Sequence, residues 1–573
     1  MPPARSTPRR LSRRSALRWT TLGALTSPFG FNLLLEACAP APAAGGPTSA
    51  SAAPTASTAG RLQLPTYVSF QGPAPDQPGS DQGVQPVYVH YPKNPVKSVT
   101  APPGRGGQIT ALTNTVNAPP TPMDQNPAWQ AVNQQLGATL NINVVAASDY
   151  PPKLATAMAG SDLPELLFIF QGGPSPVPSL LQFLQARCAD LTSYLAGDAI
   201  KDYPNLANFP TYNWQGTGTT YGSSIWGVPV PRSVLASCIY VHQELLDAVG
   251  ATLPRSADDF KRLLADLTRP QDNQWGIGSS STMAFFVPSM FLQIFGGPNN
   301  WRLESSGKLT KDYETDEFKA ATGYVRDLVQ AGVFHPNSAS AGVLGADGDF
   351  TAGRYAFYYS TWLALSTVLW PQSARLGPNI RIRGVDPFSA EGKSKPVFFL
   401  GIGNFGNTYL TKNSPDRIKE LLGVLNFLAA PFGTQEQMLM SYGLPGMDYQ
   451  LTPDGDPVPV ASNSYVYNPV PFRYLTQYPG VQYNTTNPAE YAQTVHPTEL
   501  AMASAGIQDP TLSLYSPSFA NLNASLKQSV NDGVTDIVQG RRPLSDLDSI
   551  VADWRNKGGD TVRNEYQAAL ASA

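Results

Sequence analysis

Residues 166–170 read Leu-Leu-Phe-Ile-Phe, five apolar side chains in a row with no polar alternation. A strand of that kind must be covered on both faces, as a central strand of a parallel sheet is when helices flank it. The sixty or so residues before it supply the rest of such a unit. Residues 108–113 and 140–145 read as strands, and 126–136 carries Trp129, Val132 and Leu136 at helical spacing before stopping at Gly137. Residues 150–160 form a second helix, with Pro151 and Pro152 in its first turn. Strand, helix, strand, helix, strand implies an α/β lobe. A similar region opens near Tyr240: 235–241 is extended, 243–249 is a short helix closed by Gly250, and Ser256 caps a helix with Asp259 three residues on. Residues 316–331 are amphipathic through Phe318, Ala321, Tyr324, Val325 and Leu328.

Ahead of these elements the chain carries an address. Ser12-Arg13-Arg14-Ser15-Ala16-Leu17-Arg18 precedes an apolar segment, 19–35, and then Leu35-Glu36-Ala37-Cys38. Six arginines with no acid before Glu36 hold that end on the cytoplasmic side of a membrane. Gly23, Pro28, Gly30 and Asn32 make the segment a poor permanent span. Residues 1–38 therefore resemble a twin-arginine signal ending in a lipid-attachment site at Cys38. Ala16 stands where phenylalanine is usual in such signals, and Glu36 where a small residue is. An ordinary cleaved signal, with Cys38 incidental, is the alternative. Residues 39–60 are almost wholly Ala, Pro, Gly, Ser and Thr and predict a flexible leash. Residues 61–107 hold nine prolines and predict a strap lying along the body through Tyr67, Phe70, Tyr88 and Tyr91.

Composition narrows the partners. Removing the leader's six arginines and one glutamate from the chain's 39 basic and 42 acidic residues leaves a formal charge of −8, which argues against nucleic acid. Charged residues are 14%, against roughly 25% in ordinary soluble proteins, while aromatics are plentiful. That palette suits neutral, hydroxyl-rich ligands. Cys188 and Cys238 could be two buried thiols or one disulfide. His90, His242, His335 and His496 stand alone, so neither a metal site nor any other cofactor is expected.

The order of several short pieces is more specific than any one of them. They include Asp149-Tyr150-Pro151-Pro152-Lys153, Trp226-Gly227-Val228-Pro229, Ile239-Tyr240-Val241-His242-Gln243-Glu244, Trp275-Gly276-Ile277-Gly278, Phe350-Thr351-Ala352-Gly353-Arg354, Tyr442-Gly443-Leu444-Pro445-Gly446 and Ile537-Val538-Gln539-Gly540-Arg541. In that order they resemble family 1 of the extracellular solute-binding proteins, and within it the lipoprotein subgroup serving carbohydrate ABC importers. The resemblance implies a two-lobed periplasmic-binding-protein-like α/β fold with an interlobe cleft. It places residues 108–236 and 404–445 in lobe 1 and 237–403 and 446–573 in lobe 2. Hinge crossings are expected near 234–238, 399–403 and 443–447. Some members of this subgroup have a calcium-binding loop before the Trp-Gly-Ile segment. Here 268–275 is short and holds one carboxylate, so no ion is expected.

A sugar offers hydroxyls to planar polar groups and C–H faces to aromatic rings. Candidates for such contacts lie where elements end at the expected cleft: Tyr150, Gln171, Trp226, Arg232, Trp301, Trp362, Asn404 and Tyr442. Each also reads as a packing or surface residue. The resemblance implies a monomeric receptor, lipid-anchored at the outer face of the cell membrane, that binds an oligosaccharide and passes it to ABC permease subunits. A secreted polysaccharide hydrolase and a receptor for oligopeptides or another solute are the competing readings. The hydrolase needs a carboxylate pair or an activated nucleophile, and no such motif is legible. Replacing Arg13 and Arg14 together by lysine is expected to hold the precursor in the cytoplasm, read by fractionation and immunoblotting. Unchanged export would show that another route is used.

Overall fold

The computed structural model describes residues 62–116, 118–170, 177, 179–221, 223–280, 289–377, 380–460 and 469–572, so the leader, the leash, Cys38 and Gln171 lie outside it. Nine strands build its two larger sheets: β1 (Gln108–Thr115), β2 (Thr139–Ala146), β3 (Leu166–Phe170), β4 (Gly227–Pro231), β5 (Ser237–His242), β6 (Trp275–Gly278), β7 (Tyr355–Thr361), β8 (Ile382–Gly384) and β9 (Asn404–Leu410). The first sheet has the order β2-β1-β3-β9-β4. Its β1, β2 and β3 are parallel, and β9 runs antiparallel between β3 and β4. The second has the order β8-β5-β7-β6.

Local chemistry sets the elements. The Asn126 side chain accepts from Trp129 N at 3.0 Å to cap the helix Pro127–Leu136, and Gly137 closes it. Trp129, Val132 and Leu136 then bury against Ile109, Leu140 and Leu425. In the second lobe Ser256 accepts from Asp259 N at 3.1 Å and caps Ala257–Asp266. Its Phe260 and Leu264 share a core with Ile277, Phe318 and Val325, covered by the helices Pro517–Val538 and Leu547–Trp554. Cys188 and Cys238 are both free and buried, in different core clusters.

The chain passes from the first lobe to the second between β4 and β5, and back just before β9. These two passages hydrogen-bond to each other, Arg232 N to Gly403 O at 3.0 Å and Gly401 N to Val234 O at 2.7 Å. The third passage differs from the expectation near 443–447. Gly443 closes the helix Gln435–Tyr442, and Gly446 shapes a turn into the hairpin Tyr449–Leu451/Pro457–Pro459. Val470, Phe472 and Leu475 still pack in the first lobe's core, and Thr476 and Gln477 bond the carbonyls of Pro229 and Pro231. The chain reaches the second lobe at Gln482, which donates to Glu499 Oε1 at 2.7 Å, and at Asn484, which donates to Ser366 O at 2.8 Å. The crossing thus lies between 477 and 484. Gly443 and Gly446, within the expected crossing, instead stop a helix and turn a hairpin.

Residues 62–107 run without helix along both lobes. Val68 N bonds Ala207 O at 2.8 Å, Val96 N bonds Gly433 O at 3.1 Å, and Pro86 and Tyr88 bracket Gln482 through two backbone bonds of 2.9 Å. Tyr88 and Tyr91 are buried against Phe432, whereas Tyr67 is 51% exposed and contributes little anchorage. The strap is pinned to the third crossing by Glu499. This fully buried carboxylate accepts from Gln85 N at 2.7 Å, Trp362 Nε1 at 2.6 Å and Gln482 Nε2 at 2.7 Å. No cation pairs with it among the described residues.

Burial pushes the Glu499 carboxyl up to about 7 against those three donors. The folded value exceeds the unfolded one, so the native state binds the extra proton between 4.5 and about 7. Stability from this group is complete below that window and is lost as pH rises through its upper end. The wild type is therefore expected to lose ground to Glu499→Gln by up to roughly 3 kcal/mol from about pH 5 to about pH 8. Paired thermal melts across that range measure it. A constant difference would show that Glu499 ionises like an exposed glutamate.

Candidate functional site

In an open α/β sheet the carboxyl ends of the parallel strands face the ligand crevice, because there the helix-bound loops diverge. In the first lobe that edge holds Thr115, Phe170 and Pro231, with the amino end of β9 beside them. The two hinge passages leave from the same edge, so any group fixed there stands at the base of the cleft. Asn213 braces the junction, its Nδ2 donating to Arg232 O at 3.0 Å and also to Gly403 O. Gly403 has φ +76° and its missing Cβ would lie 2.7 Å from Tyr212 O, so the hinge requires glycine there.

Along this edge the rings of Phe168, Phe170, Phe405 and Tyr474 form one assembly. Phe405 stacks on Tyr474 with centroids 5.3 Å apart and planes at 25°, and Phe170 meets Phe405 at 4.7 Å. Phe170 and Phe405 stay partly exposed, whereas Phe168 and Tyr474 are buried. The Arg232 guanidinium lies 4.7 Å over Phe405, and Arg473 lies 5.0 Å over Tyr474. Tyr474 is set by the segment 470–477, which folds back over the sheet and donates Gln477 Nε2 to Pro231 O at 3.0 Å. Nearby, Asn114 Oδ1 and Asn404 Oδ1 are buried with no partner among the described residues. The second lobe approaches through Tyr515, edge-on to Tyr221 at 5.2 Å, and through Leu512 O, which accepts from Thr217 Oγ1 at 3.4 Å.

The structure distributes the sequence candidates unevenly. Arg232 and Asn404 stand at the cleft edge; Asn404 Nδ2 bonds Thr219 Oγ1 at 3.1 Å and Thr217 O at 3.3 Å. Tyr150 is buried below the sheet, its hydroxyl donating to Phe168 O at 2.5 Å. Trp226 lies just before the amino end of β4, away from the carboxyl edge, in the same core cluster as Tyr150. Trp362 is 2% exposed, stacked on Tyr240 at 5.9 Å and bonded to Glu499. Trp301 is enclosed by Trp554, Tyr566 and the buried Lys311 ammonium at 5.5 Å, which makes it a core residue of the second lobe. Tyr442 packs edge-on to Tyr91 beneath the strap, 6.1 Å away. Phe405, Tyr474 and Arg473 were not singled out from sequence, since only the antiparallel return of β9 and the 470–477 segment bring them to Arg232.

Two hollows lie away from this edge. One inside the second lobe, beside Cys238 and Val385, is only about 20 Å³, and a groove of about 540 Å³ lies at the opposite, amino edge of the first sheet, beside Gly107 and Thr139. Among the described residues no group of three or more His, Cys, Asp or Glu side chains is placed to hold a metal ion. His242 is buried between Glu244, 2.7 Å away, and Phe350 O at 2.6 Å, an arrangement that anchors β5 to the helix Val343–Thr351.

Comparison with known proteins agrees with this architecture. The family model described as bacterial extracellular solute-binding protein matches residues 128–444. Lipoprotein LipO of Bacillus subtilis is 23% identical over 480 residues, spanning 80% of this chain and 91% of that protein. The polygalacturonan/rhamnogalacturonan-binding protein YtcQ of the same organism is 23% identical over 460 residues, spanning 78% and 88%. Among solved structures, an HMO-binding, ABC-transporter-associated solute-binding protein of Bifidobacterium longum infantis shares the fold. Its TM-score is 0.60 at 14% identity, covering 82% of this chain and 99% of that one. With a family model spanning more than half its length and a two-lobed body folded like the family's known structures, the chain belongs to the bacterial extracellular solute-binding proteins.

Proposed function

We propose that the protein is a lipid-anchored extracytoplasmic receptor that closes its lobes on an oligosaccharide and presents it to an ABC permease. The observation that carries this reading is the Phe170–Phe405–Tyr474 shelf, set with arginines and standing where two hydrogen-bonded hinge passages meet. Aromatic faces take the C–H faces of sugar rings, and arginine forks take their oxygens. No bond in the ligand need break; affinity comes from populating the closed form. The carbohydrate named for YtcQ and the HMO binding named for the Bifidobacterium protein support an oligosaccharide as ligand. LipO, named as a lipoprotein, supports acylation of Cys38. The receptor acts as a monomer, its body held near the permease by the 39–60 leash.

Calorimetry with a panel of oligosaccharides is expected to find a ligand that also lowers the radius of gyration in X-ray scattering. Phe405→Ala should weaken that ligand by about 10-fold or more, whereas Trp301→Phe should lower the melting temperature and leave affinity within about 3-fold. No heat with any oligosaccharide, or equal effects of the two substitutions on affinity, would count against the reading. Cys38→Ser should abolish fatty-acid labelling and release the protein from the membrane fraction.

A further inference from the structure

Several arginines of this body are matched to acids. Arg417 is held by Glu165 at 2.7 Å and Glu420 at 2.8 Å, and Glu314 receives both Arg555 and Arg563 at 2.6 Å. Arg232 departs from that pattern. It is partly buried at the hinge, its guanidinium 4.7 Å over Phe405, and among the described residues that guanidinium makes one hydrogen bond, from Nη1 to Pro231 O at 2.9 Å. Arg473 sits over the next ring of the same stack, and among the described residues its guanidinium bonds the Tyr474 hydroxyl, at 3.2 Å. Neither pairs with a carboxylate among the described residues.

A guanidinium carries five N–H donors in a planar fork that fits a carboxylate. Stacking on Phe405 and Tyr474 orients both forks in advance, so little side-chain entropy remains to be lost on binding. Burial, and after it the Arg473 charge, push Arg232 down to about 10, which leaves it a cation at neutral pH. Two like charges held near each other without a counter-ion disfavour the empty cleft, and an anion entering between the lobes relieves them. The rings beneath would meanwhile carry the sugar skeleton.

We propose that the cleft takes acidic oligosaccharides, with uronate carboxylates received by Arg232 and Arg473 above the Phe405–Tyr474 stack. This deepens the oligosaccharide reading and stands only if that reading does. No covalent step is involved.

The test is calorimetry of the full body with oligouronates of several linkages, each beside its carboxyl-reduced neutral counterpart. The expected result is a preference for a charged member of about 10-fold or more, which shrinks as salt rises. Arg473→Gln, at an exposed position, and Arg232→Gln should each cut that preference by about 10-fold. Arg232→Lys, which keeps the charge and loses the fork, should fall between. Binding of neutral members alone, or of both members equally, overturns this proposal and leaves the oligosaccharide reading in place. Competition by inorganic phosphate as effective as by the oligouronate would mark a simple anion site and also overturn it. Binding of no member, charged or neutral, removes both readings.

Discussion

The backbone pairing of the two hinge passages is the constraint on which the rest of this body depends. Arg232 with Gly403 and Val234 with Gly401 form a short two-stranded neck between the sheets. Because β9 returns through that neck and inserts between β3 and β4, the first lobe is completed by chain that has already visited the second. Neither lobe is contiguous in sequence, and neither can drift far from the other while the neck holds. Small rotations about two backbone strands are the motion such a joint permits, which is the hinge repertoire of ligand-closing proteins.

Around the neck the third passage and the strap add a second layer. Gln482 takes backbone bonds from the strap and gives its side chain to Glu499, while Trp362 reaches the same carboxylate from the end of β7. A buried acid with three donors and no cation is a costly element. Its place at the meeting point of strap, crossing and second sheet suits specificity of assembly better than raw stability.

Much of the local structure was legible. The apolar run 166–170 is β3 residue for residue, and the helix predicted at 150–160 is observed as Tyr150–Ala159, because period and caps act over a few residues. The third crossing was not, since a glycine that ends a helix and a glycine that bends a hinge look alike in one dimension. The burial of candidate rings was hidden in the same way. Trp301 and Trp362 carry large rings near loops, yet one is closed over by Lys311 and the other finds Glu499, a partner 137 residues away. Arg473 and Phe405 have no distinguishing neighbours in sequence; the return of β9 brings Phe405 to Arg232, and the fold-back of 470–477 brings Arg473. Low overall charge points toward neutral ligands, but composition averages over the surface and carries no sign of two arginines gathered at one cleft edge.

The strap has a consequence for the order in which this protein can come into being. Its residues near 68, 87 and 96 find their backbone partners at Ala207, Gln482 and Gly433. The last of those partners is Gln482, so the strap is not fully seated until most of the polypeptide exists. Contacts of such long sequence separation make folding slow. A chain threaded through a membrane as an extended strand would have to hold that segment unpaired outside the cell while the remainder emerged. The route expected of the paired arginines, one for cargo already folded, would keep strap and both lobes in one compartment until assembly is complete.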